Sequence, residues 1–194
     1  VALWILARGS PRALLKVRWP LHLLREVIGV SMMGAFVYGV RALPLTTAYT
    51  LFFVAPLIIT LLSHFLGEAI GAHRWFAIVG GFAGVLIAMR PDVAGVDLWA
   101  TLAVLLAAMG YALSAITVRI LGRTDSTSSM VFWMLTMITL GAGAFALPGW
   151  VAVRPEHWLL VAGVGLFGAL GQFAITEAFS RGEASVIAPL EYTA

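Results

Sequence analysis

Two polar side chains, Gln172 and Glu191, lie within apolar stretches on either side of a short polar turn at residues 181–183. If those stretches form an antiparallel helical hairpin, each side chain is nine or ten residues from the turn. That places both about 14 Å deep, close to the middle of a hydrocarbon core about 30 Å thick. A carboxylate there costs about 2.5 kcal/mol or more unless it is paired, protonated or in a wet cavity. We therefore predict that the two residues line a substrate site; the alternative is a structural hydrogen bond that clamps two helices.

Four hydroxyl-bearing side chains complete the predicted substrate-binding set. Tyr111 and Ser114 lie slightly inward of the middle of an uncharged stretch at residues 98–118. A tyrosine there can stack on a substrate or hydrogen-bond to it, although hydroxyls are also common at ordinary contacts between membrane helices. Tyr49 lies in another uncharged stretch, and Tyr192 belongs to the stretch after the polar turn.

Two further acidic residues lie closer to the ends of the apolar stretches. Glu177 comes four or five residues before the polar turn, so we interpret it as an interfacial carboxylate, with a gate or a proton-coupling group as the alternative. Glu191 is the second candidate for proton coupling. Glu68 is predicted to cap a helix or form an ion pair at the membrane surface, with Arg74 as the candidate partner.

The residues needed for hydrolytic or metal chemistry are not arranged for it in the sequence. The four histidines lie in loops or at the ends of apolar stretches, and neither HExxH nor GxSxG occurs. The chain has no cysteine, which excludes a disulfide, a thiolate metal site and a cysteine nucleophile within it. We predict that the protein is not an enzyme and uses neither a metal nor a cofactor.

Composition places these residues in a membrane protein. Hydrophobic residues make up 61% of the 194 residues and charged residues only 11%, whereas a soluble domain has about 25% charged residues. Residues 42–63 carry no charge, and as a helix they would extend about 33 Å, enough to cross a bilayer. The net charge of +3 comes from basic residues in short loops, so the predicted partner is the lipid bilayer and not nucleic acid.

The apolar stretches predict six complete transmembrane spans and two partial ones. Residues 7–26 are predicted to be a basic segment on the membrane surface, in which Pro11 and Pro20 prevent one long helix. A third internal proline, Pro56, is predicted to kink its span. The complete spans fall within residues 27–40, 42–63, 75–89, 98–118, 128–153 and 157–180, and the partial ones within 1–6 and 184–194.

The distribution of basic residues predicts the orientation of the spans. Alternate loops at residues 7–26, 64–74, 119–127 and 181–183 hold nine of the twelve Lys and Arg residues. These loops are therefore predicted to be cytoplasmic. No cluster of Lys or Arg lies inside a predicted span, which argues against a multiply charged anion as substrate.

Two patterns indicate how the spans pack. Gly80 and Gly84 form GxxxG, a spacing that lets helices approach closely, either within one chain or between the subunits of a homodimer. Residues 39–48 and 179–188 are weakly similar, yet the arginines in them are predicted on opposite sides of the membrane. A repeat that reverses its direction is typical of secondary transporters.

The same stretches carry a resemblance to a known family. The runs LPLTTAYTLFFVAPLIITLLSHFLGE, RWFAIVGGFAGVLIAMRP and EASVIAPLEYTA resemble the fourth, fifth and early ninth spans of the drug/metabolite transporter superfamily, EamA type. The resemblance implies an all-α polytopic bundle of ten helices in two inverted halves of five. Residues 1–92 would be the end of span two to span five, and residues 93–194 span six to the start of span nine.

The resemblance also implies a function. We predict a secondary active transporter, a permease or exporter in the bacterial inner membrane, that moves a small metabolite or drug by alternating access. Members of the family carry amino acids, nucleoside-like metabolites, vitamins and drugs, and the sequence does not select among these. A lipid scramblase or a structural membrane subunit is the alternative.

Overall fold

A computed structural model of the protein describes Leu14, residues 17–89 and residues 97–193. Regular structure in these ranges is helical throughout, and a longer 3-10 segment, Ala188–Thr193, follows the last α-helix. Single 3-10 turns lie at His64–Leu66, Leu147–Gly149 and Pro155–His157. The α-helices are α1 (Trp19–Ala42), α2 (Leu45–Phe52), α3 (Ala55–Ser63), α4 (Ala72–Met89), α5 (Leu98–Leu121), α6 (Thr127–Ala146), α7 (Trp158–Arg181) and α8 (Ala184–Ile187).

Five of the described helical segments are long and apolar enough to cross a membrane. These segments are Trp19–Ala42, Leu45–Leu66, Leu98–Leu121, Thr127–Gly149 and Pro155–Arg181. The helix α4, with 18 residues, covers the remaining predicted complete span. The prediction of an all-α polytopic transmembrane bundle is therefore confirmed, and the chain is an integral membrane protein. The ten-helix inverted repeat remains a prediction, because its boundary at residues 92 and 93 and the partial span at 1–6 lie outside the described residues.

Helix α1 begins earlier than predicted. It starts at Trp19 with Pro20 in its first turn, a position where proline is tolerated because the missing N–H would be unpaired anyway. Within it His22, Arg25 and Glu26 are buried. The prediction that the surface segment extends to residue 26 is therefore wrong: these polar side chains face neighbouring helices instead of water.

The long helix α5 is the centre of the bundle and packs against α1, α2, α3 and α7. Small residues allow this, since Ala107, Ala108 and Ala112 are fully buried. At the end of α5, a Cβ atom on Gly122 would lie 2.7 Å from the Ser180 Cβ. Close contacts of this kind hold α5 and α7 together near the polar side chains that both helices carry.

The predicted interruption of the span at Pro56 is confirmed. Helix α2 ends at Phe52, Phe53 and Val54 form a turn, and α3 begins at Ala55 with Pro56 in its first turn. Since Pro56 has no N–H to donate, the carbonyl groups of the preceding turn lose a helical partner. The Tyr192 hydroxyl donates to the Phe53 carbonyl oxygen at 2.6 Å, which ties the 3-10 segment to the break.

The GxxxG motif has no packing partner within the described part of the chain. Gly80 and Gly84 are exposed, and a Cβ on either would have no described atom within 4 Å. The intervening Gly81 makes the close contact, because its Cβ would lie 2.7 Å from a methyl group of Leu57. The prediction that Gly80 and Gly84 pack against another helix of the same chain is therefore wrong for the described residues. Packing between the subunits of a homodimer remains a prediction.

Candidate functional site

A polar contact between two membrane-embedded elements joins Tyr111 to Glu191. The Tyr111 hydroxyl, on α5, donates to Glu191 Oε1 at 2.8 Å. Glu191 lies in the 3-10 segment Ala188–Thr193, which packs against α3. A carboxylate held this way between two apolar elements is expensive to keep unless it has a role, since such residues usually mark a substrate or ion pathway.

Beside Tyr111 lies a small cavity between α1, α5 and α7, which we call the inner cavity. Its volume is about 30 Å³, enough to hold a water molecule but far too small for a metabolite. A substrate can therefore enter only if the surrounding helices move apart. Its polar lining consists of Arg25, Tyr111, Ser114, Gln172 and Thr176.

The alternative reading of Gln172 and Glu191, a hydrogen bond between them that clamps two helices, is not observed. Gln172 Nε2 donates to Thr176 Oγ1 at 3.1 Å, one turn along its own helix, while Glu191 bonds to Tyr111. The chain after the polar turn is a four-residue helix followed by a 3-10 segment that contains Pro189, so it does not continue as one straight helix. Both side chains nevertheless lie close to Tyr111. Gln172 lines the inner cavity together with Tyr111, and Glu191 accepts a hydrogen bond from the Tyr111 hydroxyl.

A row of aromatic rings connects Tyr111 with a much larger cleft. Ring centroids are 5.6 Å apart for Phe52 and Tyr111, 5.4 Å for Phe36 and Phe52, and 5.7 Å for Phe36 and Tyr49. Phe36, Tyr49 and Phe52 also line the cleft between α1, α2 and α6, whose volume is about 990 Å³. Volumes of this order accommodate metabolite-sized ligands.

The remaining predicted side chains have other partners. Tyr192 is bound to the helix break, as described above, and is half-exposed. Ser114 accepts a hydrogen bond from Arg25 Nε at 3.3 Å. Glu177 forms an ion pair with Arg181 at 2.6 Å, one turn apart at the end of α7. That pairing agrees with the interpretation of Glu177 as an interfacial carboxylate.

The loops at residues 64–71, 122–126 and 182–183 meet the start of α1 at one end of the bundle, which we call the loop end. Gly67, with a φ of 84° that favours glycine, turns the chain so that Glu68 reaches this junction. Glu68 Oε1 accepts from Arg119 Nε at 3.2 Å and from the Ala184 N–H at 3.0 Å, and Oε2 accepts from the Ser185 N–H at 2.9 Å. The prediction that Glu68 caps or pairs is confirmed, but Arg74 as its partner is wrong, because Arg74 donates to the Ser185 hydroxyl at 2.7 Å.

Asp125 makes a second junction at the loop end. His22 Nε2 lies 2.9 Å from Asp125 Oδ2, with both side chains 2% exposed, and the Arg18 N–H donates to the same oxygen at 3.2 Å. Thr124 donates to Oδ1 at 2.7 Å. The start of α1 is thereby fixed to the turn between α5 and α6.

Both loop-end carboxylates are stabilised in their charged form. Burial acts to raise the pKa of Glu68, but hydrogen bonds from the Ser185 and Ala184 N–H groups, the Ser185 hydroxyl and Arg119 outweigh it and lower the pKa below its usual 4.5. Burial also acts to raise the pKa of Asp125. Hydrogen bonds from Thr124, His22 and the Arg18 N–H outweigh this effect and lower the pKa below its usual 3.8. Protonation of either group is therefore coupled to loss of these contacts.

We predict that acid weakens the loop end. Because the pKa of Glu68 is lower in the folded than in the unfolded protein, its contribution to stability is complete above pH 4.5 and is lost as the pH falls through the folded-state pKa. The melting temperature of the purified protein should decrease below pH 4.5, and it should decrease less steeply in the Glu68→Gln variant. Parallel curves for the two proteins would contradict this assignment.

Sequence reasoning missed the buried polar residues of α1. Arg25 is 2% and Glu26 6% exposed, although both were assigned to a surface segment. The signal that could have found them is the tolerance of proline in a first helical turn, which makes a helix start at Trp19 as plausible as one at residue 27. Among the described residues no three His, Asp or Glu side chains converge on a metal-sized position.

Comparison with known proteins identifies one family of membrane transporters. Residues 1–90 and 98–194 match the EamA-like transporter family. The chain is 34% identical over 177 residues to a riboflavin transporter of Vibrio cholerae, covering 88% of the chain and 58% of that protein. It is 31% identical over 172 residues to a riboflavin transporter of Rhizobium johnstonii, covering 88% and 57%. It is 27% identical to the pseudopaline exporter CntI of Pseudomonas aeruginosa, covering 98% and 68%.

The chain thus spans somewhat more than half the length of the two riboflavin transporters that it matches. No solved structure is significantly similar to it.

Proposed function

Because this chain belongs to the EamA-like transporter family, we propose that the protein is a secondary active transporter that moves a small metabolite or drug across a membrane by alternating access. The relatives are named as a riboflavin transporter and a pseudopaline exporter. Their substrates differ, so the family supports the class of activity and leaves the compound open. The family's name refers to transporters and not to enzymes.

The observation that carries the proposal is the Tyr111–Glu191 hydrogen bond of 2.8 Å between membrane-embedded elements, beside the inner cavity. We assign the substrate site to the residues around it. Glu191 and Tyr111 form its centre, Ser114 and Gln172 line the cavity, Tyr192 anchors the 3-10 segment, and Tyr49 lies toward the cleft. Each of these groups offers a hydrogen bond in a region where water is scarce, which gives selectivity.

Alternating access requires that one end of the bundle opens while the other closes. Glu68, Asp125 and their partners tie the loop end together, while the cleft of about 990 Å³ is open elsewhere. In our proposal the loop-end contacts break when the site opens to that side. The turn at Phe53 and Val54 between α2 and α3 is the hinge we expect, because hinges are short segments that absorb changes in φ and ψ.

We further propose that the loop end is cytoplasmic, because the sequence ranges that contain its loops, 7–26, 64–74, 119–127 and 181–183, hold eight of the twelve Lys and Arg residues even without the buried Arg25. The bacterial relatives support the inner membrane as the location. The family match divides between residues 90 and 98, near the predicted boundary of two inverted halves, which supports that division. Proton coupling through Glu191 and a homodimer through the exposed Gly80 and Gly84 complete the proposal.

A flux screen tests the function. The complete gene product would be expressed in bacteria lacking it, and uptake and export of labelled metabolites, riboflavin included, would be followed against an empty vector. We expect saturable flux of at least one compound or a small related group. If no solute moves while the protein is present and folded in the membrane, a lipid scramblase or a structural subunit becomes the better reading.

A further inference from the structure

We propose that Arg25 recognises a carboxylate group of the transported compound, an inference that deepens the proposed transporter function and depends on it. Arg25 lines the inner cavity together with Tyr111, Ser114 and Gln172. Its side chain is 2% exposed, so its positive charge is held inside the bundle and not at the surface.

Three helices place the guanidinium at the same depth. Arg25 is six residues from the start of α1, its partner Ser114 is seven from the end of α5, and its partner Met134 is seven from the start of α6. At about 1.5 Å per residue each position lies about 10 Å from the loop end. The guanidinium therefore does not reach back to the surface, as long basic side chains near helix ends usually do.

No acidic side chain forms a hydrogen bond or an ion pair with Arg25 among the described residues. Its contacts go to the Ser114 hydroxyl at 3.3 Å, the Met130 carbonyl at 3.3 Å and the Met134 sulfur at 3.1 Å. All three acceptors are neutral, and two of the distances are long for a guanidinium. The adjacent Glu26, also buried, interacts with Arg25 electrostatically but leaves the guanidinium N–H groups to these neutral acceptors.

A buried cation with no acid bonded to it is costly, and it persists where a ligand supplies the missing partner. The fork of a guanidinium fits the two oxygens of a carboxylate. One positive charge balances a carboxylate, whereas a phosphate carries up to about two negative charges. The Gln172 amide and the Ser114 hydroxyl border the same cavity and can donate to carboxylate oxygens, so the surroundings fit this group too.

The absence of cysteine from the chain allows a direct test without a known substrate. In a background whose other cysteines are replaced by serine, the S114C variant of the complete gene product places one thiol beside Arg25. Its rates of modification by an anionic reagent, methanethiosulfonate ethylsulfonate, and a cationic one, methanethiosulfonate ethyltrimethylammonium, would be compared. Because both reagents attack the same thiolate, their rate ratio reports the local charge and not the reactivity of the thiol.

We expect Arg25→Gln to lower the anionic-to-cationic rate ratio by at least about tenfold, since a nearby charge in a partly dry site acts strongly. Arg25→Lys should keep most of the preference. Arg123→Gln, which removes an exposed arginine in the turn after α5, should leave it unchanged. With Arg25 intact, sodium benzoate should slow modification of the thiol at position 114, and the matched neutral compound, benzamide, should not. This measurement does not depend on whether the Arg25→Gln variant folds.

Two results would overturn the inference: equal rate ratios with and without Arg25, or a thiol at position 114 that neither reagent modifies. Equal protection by benzoate and benzamide would count against it as well. Because labelling needs no transport, its outcome is separate from the flux screen. If the flux screen shows transport of neutral compounds and labelling at position 114 shows no charge preference, the transporter function is retained and the carboxylate site is rejected.

Discussion

Replacing Glu191 by glutamine is expected to reduce substrate flux by at least about tenfold while the protein still folds. Glutamine has nearly the same size and can still accept from the Tyr111 hydroxyl, so the packing between α5 and the 3-10 segment is retained. What it loses is the negative charge, and hydrogen bonds to charged groups contribute about 1.5–3 kcal/mol. Since about 1.4 kcal/mol corresponds to a factor of ten in affinity, the loss is measurable in flux.

The matched control is Glu177→Gln. Glu177 makes an ion pair with the exposed Arg181 one turn away, and such pairs contribute about 0.5 kcal/mol or less. If Glu177 is interfacial, its variant should transport at nearly the wild-type rate. A Glu191→Gln variant that reaches the membrane and transports as fast as the wild type would exclude Glu191 from the site.

Replacing Glu68 by alanine is expected to have the largest effect on stability. The carboxylate accepts hydrogen bonds from Arg119, Ala184 and Ser185 at 2.9–3.2 Å with the Glu68 side chain 8% exposed. Its removal leaves Arg119 with the Ser180 carbonyl oxygen, at 3.4 Å, as its only acceptor among the described residues, and leaves two N–H groups at the start of α8 uncapped. Allowing for the partly exposed arginine, we expect a loss of about 2–3 kcal/mol in the free energy of unfolding.

Thermal unfolding of the purified protein in detergent measures this loss. Glu156→Ala is the control, since Glu156 is 63% exposed and lies 3.6 Å from an exposed Arg154. Its melting temperature should match that of the wild type. If Glu68→Ala also matches, the junction of α5, α8 and the loop after α3 does not contribute to stability as the geometry indicates.

Hydrophobicity and charge in the sequence were enough to predict the transmembrane helices and which loops share one end. Contacts of Glu68 with α5 and α8, and of Asp125 with α1, confirm that these loops lie together. Patterns of this kind are read reliably because a bilayer excludes unpaired backbone groups and strongly charged stretches.

Pairing between distant side chains was harder to predict. Equal distance from a turn placed Gln172 opposite Glu191, but this assumes two straight helices, and the chain after the turn adopts a 3-10 conformation. Arg25 looked like a loop residue because basic residues usually are, and only its tertiary neighbours reveal that it is buried. Tyr111 was predicted as a site residue, although no sequence pattern indicated that its partner is Glu191.

Counterflow in liposomes is the decisive measurement for the transport mechanism. The complete gene product would be purified and reconstituted, and uptake of a labelled compound from the screen would be measured with and without unlabelled compound inside. We predict saturable uptake that the internal compound accelerates, because a carrier returns faster when loaded. Uptake that rises linearly with concentration and is the same with and without unlabelled compound inside would contradict alternating access.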